Sequence, residues 1–214
     1  MLEVVQEWDK ALFLLINGGH APYWDQFMAL FTSKEVWIPM YASILYVLIR
    51  NFGWRMVVFT TLAFVLVITV ADQLSSSVLR PLFERPRPSH NPAFAEVIHL
   101  INGRRGGQFG FPSAHAANTA ALTTFIILFF KRWRLSLFFV LWTLITCYTR
   151  SYVGVHYPGD LLFGLVVGIF SGGVVYLLYR GYYRIKQPEK IGHSYTIAYT
   201  GILTIIGIAI YSFR

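Results

Sequence analysis

The chain has 214 residues, of which 56% are hydrophobic, 17% aromatic and 13% charged, with a formal net charge of +8. That balance argues against a soluble domain and for an integral membrane protein. Its basic residues are scattered among apolar runs, which argues against nucleic acid as a partner, and a single cysteine, Cys147, excludes a disulfide framework.

In chain order, residues 1–34 differ from the rest. Leu2, Val5, Trp8, Leu12, Leu15 and Ile16 recur at helical spacing, with Glu3, Gln6, Glu7 and Lys10 between them. After the Gly18–Gly19 break, Trp24, Phe27, Met28 and Phe31 form a second stripe. Both segments read as amphipathic helices lying in the membrane interface. Glu3, Glu7 and Asp9 stand where a signal peptide would carry basic residues, so none is expected.

Long apolar runs then mark six candidate spans at residues 36–49, 54–79, 112–131, 135–155, 158–180 and 194–213. All but the short first run suit the ~20 residues that ~30 Å of hydrocarbon requires. The expected fold is all-α: a polytopic membrane bundle of six transmembrane helices with N-terminal interfacial helices. Residues 1–34 form the interfacial segments, 35–190 the main membrane domain and 191–214 an additional helix. Gly164, Gly168 and Gly172, four apart, form a ridge on which a neighbouring helix can approach closely. Trp8, Trp24, Trp37 and Trp54, with Tyr182 and Tyr183, fit aromatic belts at the two interfaces.

Six spans place the connections on two sides. The short loops 50–55, 131–134 and 180–190 hold nine Lys/Arg against one acid, Glu189, which makes that side cytoplasmic. The long 80–111 loop and the 149–160 turn then face outward, toward the periplasm or the exterior.

Three clusters fall on that outward side. Arg80 and Arg87 stand at the exit of the second span, within L-R-P-L-F-E-R-P-R-P. Pro112, Ser113, Ala114 and His115 open the third. T-R-S-Y-V-G-V-H-Y-P-G-D, from Thr149 to Asp160, turns between the fourth and fifth. Charges at bilayer depth cost roughly 2.5–3.5 kcal/mol each on insertion scales, so such a cluster points to function. His156 and Asp160 are four apart, a spacing that shares a helix face. A carboxylate holding one imidazole nitrogen leaves the other free as base or nucleophile.

Arg80, Arg87 and Arg150 supply planar cationic forks suited to phosphate oxygens. Pro112 and Ser113 at a helix start suggest exposed backbone N–H groups for an anion, although Ser113 is equally suited to cap the helix. Two histidines supply general acid and base, or acid and nucleophile. Glu84, Glu96 and Asp160 are too few and too scattered for a two-metal cluster, so no metal and no cofactor is expected. Asp72, inside the second span, shares a face with Ser76 and Arg80 at four-residue steps and is expected to support Arg80 or an internal polar network. His20, His90, His99 and His193 have no partner visible in the sequence. The 89–111 loop is a candidate headgroup or lid element.

These three motifs, in this order, resemble the type 2 phosphatidic acid phosphatase (PAP2) superfamily of membrane lipid phosphatases. The family pattern K-x6-R-P, P-S-G-H, S-R-x5-H-x3-D is met here by Arg80-x6-Arg87-Pro88, Pro112-Ser113-Ala114-His115 and Thr149-Arg150-x5-His156-x3-Asp160. Arg80 stands for the family lysine, Ala114 for its glycine and Thr149 for its serine. The R-P-R-P repeat offers Arg85 as an alternative register, but that would place Val78 at the basic position, so Arg87 is the match.

The resemblance implies that His156 attacks phosphorus, Asp160 orients it, and His115 protonates the leaving oxygen and later activates water. Arg80, Arg87, Arg150, Ser113 and the Ala114 amide would hold the phosphoryl oxygens. It also implies a lipid phosphate or diphosphate substrate, with undecaprenyl diphosphate first and lipid A or phosphatidylglycerophosphate as alternatives. The expected location is a bacterial inner membrane, among membrane lipids. A non-catalytic lipid-phosphate binding or transport protein is the rival class; it would not need the His115–His156 pair.

Overall fold

The computed structural model describes residues 2–182 and 191–213. Tyr183 and the basic residues Arg184, Lys186 and Lys190 of the expected cytoplasmic loop lie outside the described residues. The described chain is all-α, with eight helices: α1 (Leu2–Gly18), α2 (Pro22–Phe31), α3 (Ile38–Asn51), α4 (Trp54–Phe83), α5 (Ala114–Phe130), α6 (Trp133–Tyr152), α7 (Pro158–Tyr182) and α8 (Thr196–Tyr211).

Helix ends follow local chemistry. Pro158 opens α7, where a missing N–H costs nothing and the fixed φ is already helical. Ser113 caps α5, its Oγ accepting the Ala116 N–H at 3.5 Å. Lys131, at φ 51°, ends α5 in the left-handed region. By length and composition, α4 and α7 are long and apolar enough to cross a membrane, while α5 and α8 are apolar and shorter.

α4 is not uniform. Its α-helical part ends at Asp72, Gln73–Leu79 is π-helical, and Arg80–Phe83 returns to α geometry. A π segment bonds each N–H five residues back, so the hydrogen-bond pattern between Asp72 and Arg80 is not that of the regular α-helix expected from the spacing. Asp72 instead accepts from Asn118 Nδ2 on α5 at 3.0 Å. Of its two expected roles, the polar network is the one with a bond.

α5 is the hub, packed against α4, α6 and α7. Its contact with α7 is the most extensive in the molecule, and the small-residue ridge explains it. A Cβ on Gly164 would lie 2.6 Å from the Ser113 carbonyl, and one on Gly172 would lie 2.5 Å from that of Ala121. Only glycine permits this separation. Deeper in the bundle, the buried Phe125 of α5 meets Phe64 of α4 edge-on at 4.9 Å.

α8, for which the sequence offers no role, packs on α3 and also touches α2 and α6. Thr200 Oγ1 donates to Ser43 Oγ at 3.0 Å, and Asn51 exchanges two hydrogen bonds with Gly192. Trp54 and Tyr182 stand exposed at the end of the bundle away from the motifs. Trp37 departs from the expected aromatic belt. It is buried, donates from Nε1 to the Phe31 carbonyl, and packs edge-on against Trp142.

Candidate active site

The exit of α4, the entry of α5 and the α6–α7 turn converge at one end of the bundle. The Ser113 N–H donates to the Asp160 carbonyl at 3.0 Å and joins the start of α5 to the start of α7. Below that bond, the Gly164 contact holds the two helices together. In the 84–113 connection, Pro86 and Phe109 form a two-stranded bridge, flanked by bonds from Arg87 N–H to Gln108 O and from Gly110 N–H to Arg85 O. Extended residues two apart share a face, so Arg85 and Arg87 both point toward the His156–Asp160 turn.

Arg87 reaches the histidine. Its Nη1 donates to His156 Nε2 at 2.8 Å and to the Val155 carbonyl at 3.0 Å, while its Nε donates to the Phe109 carbonyl. A guanidinium can only donate, so Nε2 accepts and the ring proton lies on Nδ1. Nδ1 faces Asp160 Oδ2 at 3.4 Å, a contact too long for a good hydrogen bond. His156 is buried. Burial, followed by the charges of Arg87, Arg150 and Arg80, pulls its imidazole well below 6.5. It is therefore neutral at physiological pH, with its lone pair on Nε2, the nitrogen that meets Arg87. Burial and the nearby Arg80 charge push the Arg87 guanidinium down to about 10, which leaves it cationic.

Asp160 is fully buried and held by groups that spacing alone did not reveal. Arg85 Nη1 donates to its Oδ1 at 2.7 Å, and the Tyr157 N–H donates to its Oδ2 at 3.1 Å. The other arm of the Arg85 fork, Nη2, donates to Asp9 Oδ2 on α1 at 2.6 Å. Asp9 Oδ1 in turn accepts the Gly159 N–H in the first turn of α7 at 2.7 Å. The Arg85 guanidinium also lies 4.3 Å over the Tyr157 ring. In the sequence Asp9 is only one of three acids near residue 1 and Arg85 only the alternative register of R-P-R-P. The R-P-R spacing was the available signal, because a residue before proline is pushed toward extended backbone.

Gly110 is a third residue that motif reading passed over. A Cβ there would stand 2.9 Å from Arg87 Cγ, 3.2 Å from Asp160 Oδ2 and 3.4 Å from His156 Nδ1. Glycine at this position lets the backbone press against the His–Asp contact.

Among the described residues, none of the remaining expected residues shares a hydrogen bond with His156. His115 is half-buried in the first turn of α5, beside Ala114. Arg150 donates from Nη1 to Thr32 Oγ1 at 2.8 Å, and Arg80 from Nη2 to the Pro112 carbonyl at 3.3 Å. Among the described residues, five buried side-chain polar atoms have no partner, and three of them are Arg80 Nε, Arg150 Nε and His156 Nδ1. Unpaired buried donors are rare; the two guanidinium ones, Arg80 Nε and Arg150 Nε, are free to meet an anion, whereas His156 Nδ1 faces Asp160.

The 89–111 loop is tied down. Asn17 of α1 donates to the His99 and Tyr152 carbonyls and accepts the His99 N–H, all at 2.8 Å. His99 bonds Asp25 at 2.7 Å and stacks on His20 at 3.9 Å, so two of the histidines without a visible partner do have one. Phe94 packs against Phe13 and Tyr157. The amphipathic helix α1 thus anchors the loop through two residues, Asn17 and Phe13.

Comparison with known proteins follows the same lines. A family model described as the PAP2 superfamily matches residues 59–184. A lipid A 4′-phosphatase of Bacteroides thetaiotaomicron is 48% identical, over 99% of this chain and 98% of that protein. A lipid A 4′-phosphatase of Porphyromonas gingivalis is 34% identical, over 83% of this chain and 75% of that protein. A crystal structure of a transmembrane PAP2 type phosphatidylglycerolphosphate phosphatase from Bacillus subtilis has the same fold. Its TM-score is 0.62 at 22% identity, with 86% of this chain and 89% of that one covered.

Proposed function

The chain belongs to the PAP2 superfamily of metal-independent membrane lipid phosphatases, and from that premise we propose that it removes the 4′-phosphate of lipid A. The observation that carries the substrate is the match to a lipid A 4′-phosphatase along nearly the whole of both chains. Undecaprenyl diphosphate, the first substrate expected from the motifs, gives way to lipid A on that ground. The neutral His156 with Arg87 on its Nε2 favours an enzyme over a binding or transport protein.

In the mechanism we propose, the substrate phosphate draws Arg87 Nη1 from His156 Nε2 onto a phosphoryl oxygen and frees the nitrogen lone pair. Arg80, Arg150, Ser113 and the Ala114 amide hold the other oxygens. Nε2 bonds to phosphorus as the bond to the sugar oxygen breaks, and His115 passes its proton to that oxygen. The positive charge that develops on the ring lies on the Nδ1 side, against Asp160. Water then gives a proton to His115 and attacks phosphorus, the P–N bond breaks, and inorganic phosphate leaves. Arginine charges fixed before the reaction stabilise the added charge in the transition state.

We further propose that α3–α8 cross the inner membrane and that α1 and α2 lie in its outer interface, with the site facing the periplasm. In this reading 35–190 is the catalytic domain and 191–214 an added helix. The test is phosphate release from lipid A, undecaprenyl diphosphate and phosphatidylglycerophosphate by detergent-solubilised protein with chelator present. Preference for lipid A is expected. Release from none would favour the binding class, and loss of activity with chelator would overturn the metal-free chemistry.

A further inference from the structure

The two unpartnered buried atoms outside the phosphate site are Asn118 Oδ1 and Trp142 Nε1. Both residues line one cavity of about 300 Å³, whose wall also holds His115, Asp72 and Lys34. Arg87 and His156 are not in that wall. The cavity therefore begins at the residue that would protonate the leaving oxygen, not at the nucleophile, and the part of a substrate lying beyond His115 is the leaving group. Thr32 links the two regions, since it lines the cavity and accepts the Arg150 bond.

The chemistry of the wall is specific. Asn118 spends an N–H on Asp72, which orients its carboxamide and leaves Oδ1 as an acceptor. Trp142 offers a donor and nothing else. One acceptor and one donor, both buried and both unpaired, complement the N–H and C=O of an amide, and Asp72 adds an acceptor for a hydroxyl. A purely apolar leaving group would leave all of these unmet, which is strongly disfavoured. Toward the membrane the cavity shares Tyr41, Ile68 and Leu122 with an apolar groove of about 180 Å³ between α3 and α4. An occupant with an amide at the polar end and a hydrocarbon chain at the other fits this gradient.

We propose that this cavity is a leaving-group subsite for an N-acylated amino sugar, with Asn118 and Trp142 reading the sugar-linked amide and the groove taking its acyl chain. The assignment rests on the lipid A reading and on His115 as proton donor. It explains a mid-helix carboxylate, Asp72, that the phosphate chemistry does not use, and it makes selection of a sugar lipid over a prenyl diphosphate a property of α5 and α6.

The test compares wild type, Trp142→Phe and Asn118→Leu on lipid A and on phosphatidate, which has a phosphate monoester and acyl chains but no sugar or amide. The expected result is a tenfold or greater fall, for each variant, in the ratio of kcat/KM for lipid A to that for phosphatidate. Trp142→Phe loses ring packing against Trp37 and Phe139 but no hydrogen bond, so it is expected to stay folded, and its melting temperature is measured beside the rates. An unchanged ratio, with wild type active on lipid A, would overturn the subsite and leave the function standing. Wild type that cleaves phosphatidate but not lipid A, or neither lipid, would overturn the function and the subsite together.

Discussion

Asp9 gives the sharpest test of how the nucleophile is held. It lies on α1, far in sequence from every motif, yet one carboxylate oxygen takes Arg85 and the other takes the Gly159 N–H. Asp9→Ala removes both bonds. Hydrogen bonds to charged groups contribute about 1.5–3 kcal/mol each, and the lower end applies because Arg85 is partly exposed. Arg85 would then turn toward solvent and loosen its hold on Asp160, and through it the aim of His156. If about 1.4–2.8 kcal/mol of that loss reaches the transition state, kcat falls roughly 10- to 100-fold. KM should change little, because Asp9 is remote from the substrate. The assay is initial-rate phosphate release from lipid A, with melting temperature measured beside it. Glu7→Ala is the control: Glu7 is on the same helix and pairs with Lys10 at the surface. Wild-type kcat and melting temperature in Asp9→Ala would refute the argument, as would an equal loss in Glu7→Ala.

Two further outcomes are expected. Gly110→Ala should cut phosphate release by about 100-fold, because its methyl would displace Arg87 or Asp160 by a sizeable fraction of an ångström. Gly107→Ala, where a methyl meets nothing within 4 Å, should leave the rate unchanged. For His156 the folded imidazole sits well below 6.5. As pH drops through 6.5 the unfolded chain therefore takes up a proton that the folded chain refuses. This residue's contribution to stability is present above 6.5 and declines below it. Melting temperature should fall more steeply from pH 7 to 5 in wild type than in His156→Gln; equal slopes would disprove the assignment.

The reading from sequence rested on features that are local in the chain. Apolar runs of membrane length specify helices because each backbone group must find its partner within its own segment. Pro158 and Ser113 mark helix starts through their own backbone and side-chain chemistry. His156 and Asp160 are close in sequence, although His156 stands two residues before α7 and meets Asp160 across the helix start rather than on a shared helix face, and Gly164, Gly168 and Gly172 declare a face of close approach by lacking side chains. The order of the three motifs places them at one end of any alternating bundle.

What the sequence could not show are pairings between residues far apart. Arg85 and Arg87 look interchangeable in R-P-R-P; only the strand bridge to Phe109 and the arrival of α1 send one to His156 and the other to Asp160 and Asp9. Asp72 pairs with Asn118 of α5, a partner supplied only by the packing of α4 on α5. Trp37 has the composition of a belt residue and is buried because α2 and α6 close over it. Helix identity and motif order follow from backbone hydrogen bonding and side-chain period, which act within a few residues. The partners of the charged groups follow from how the helices pack, and packing is set by the whole chain at once.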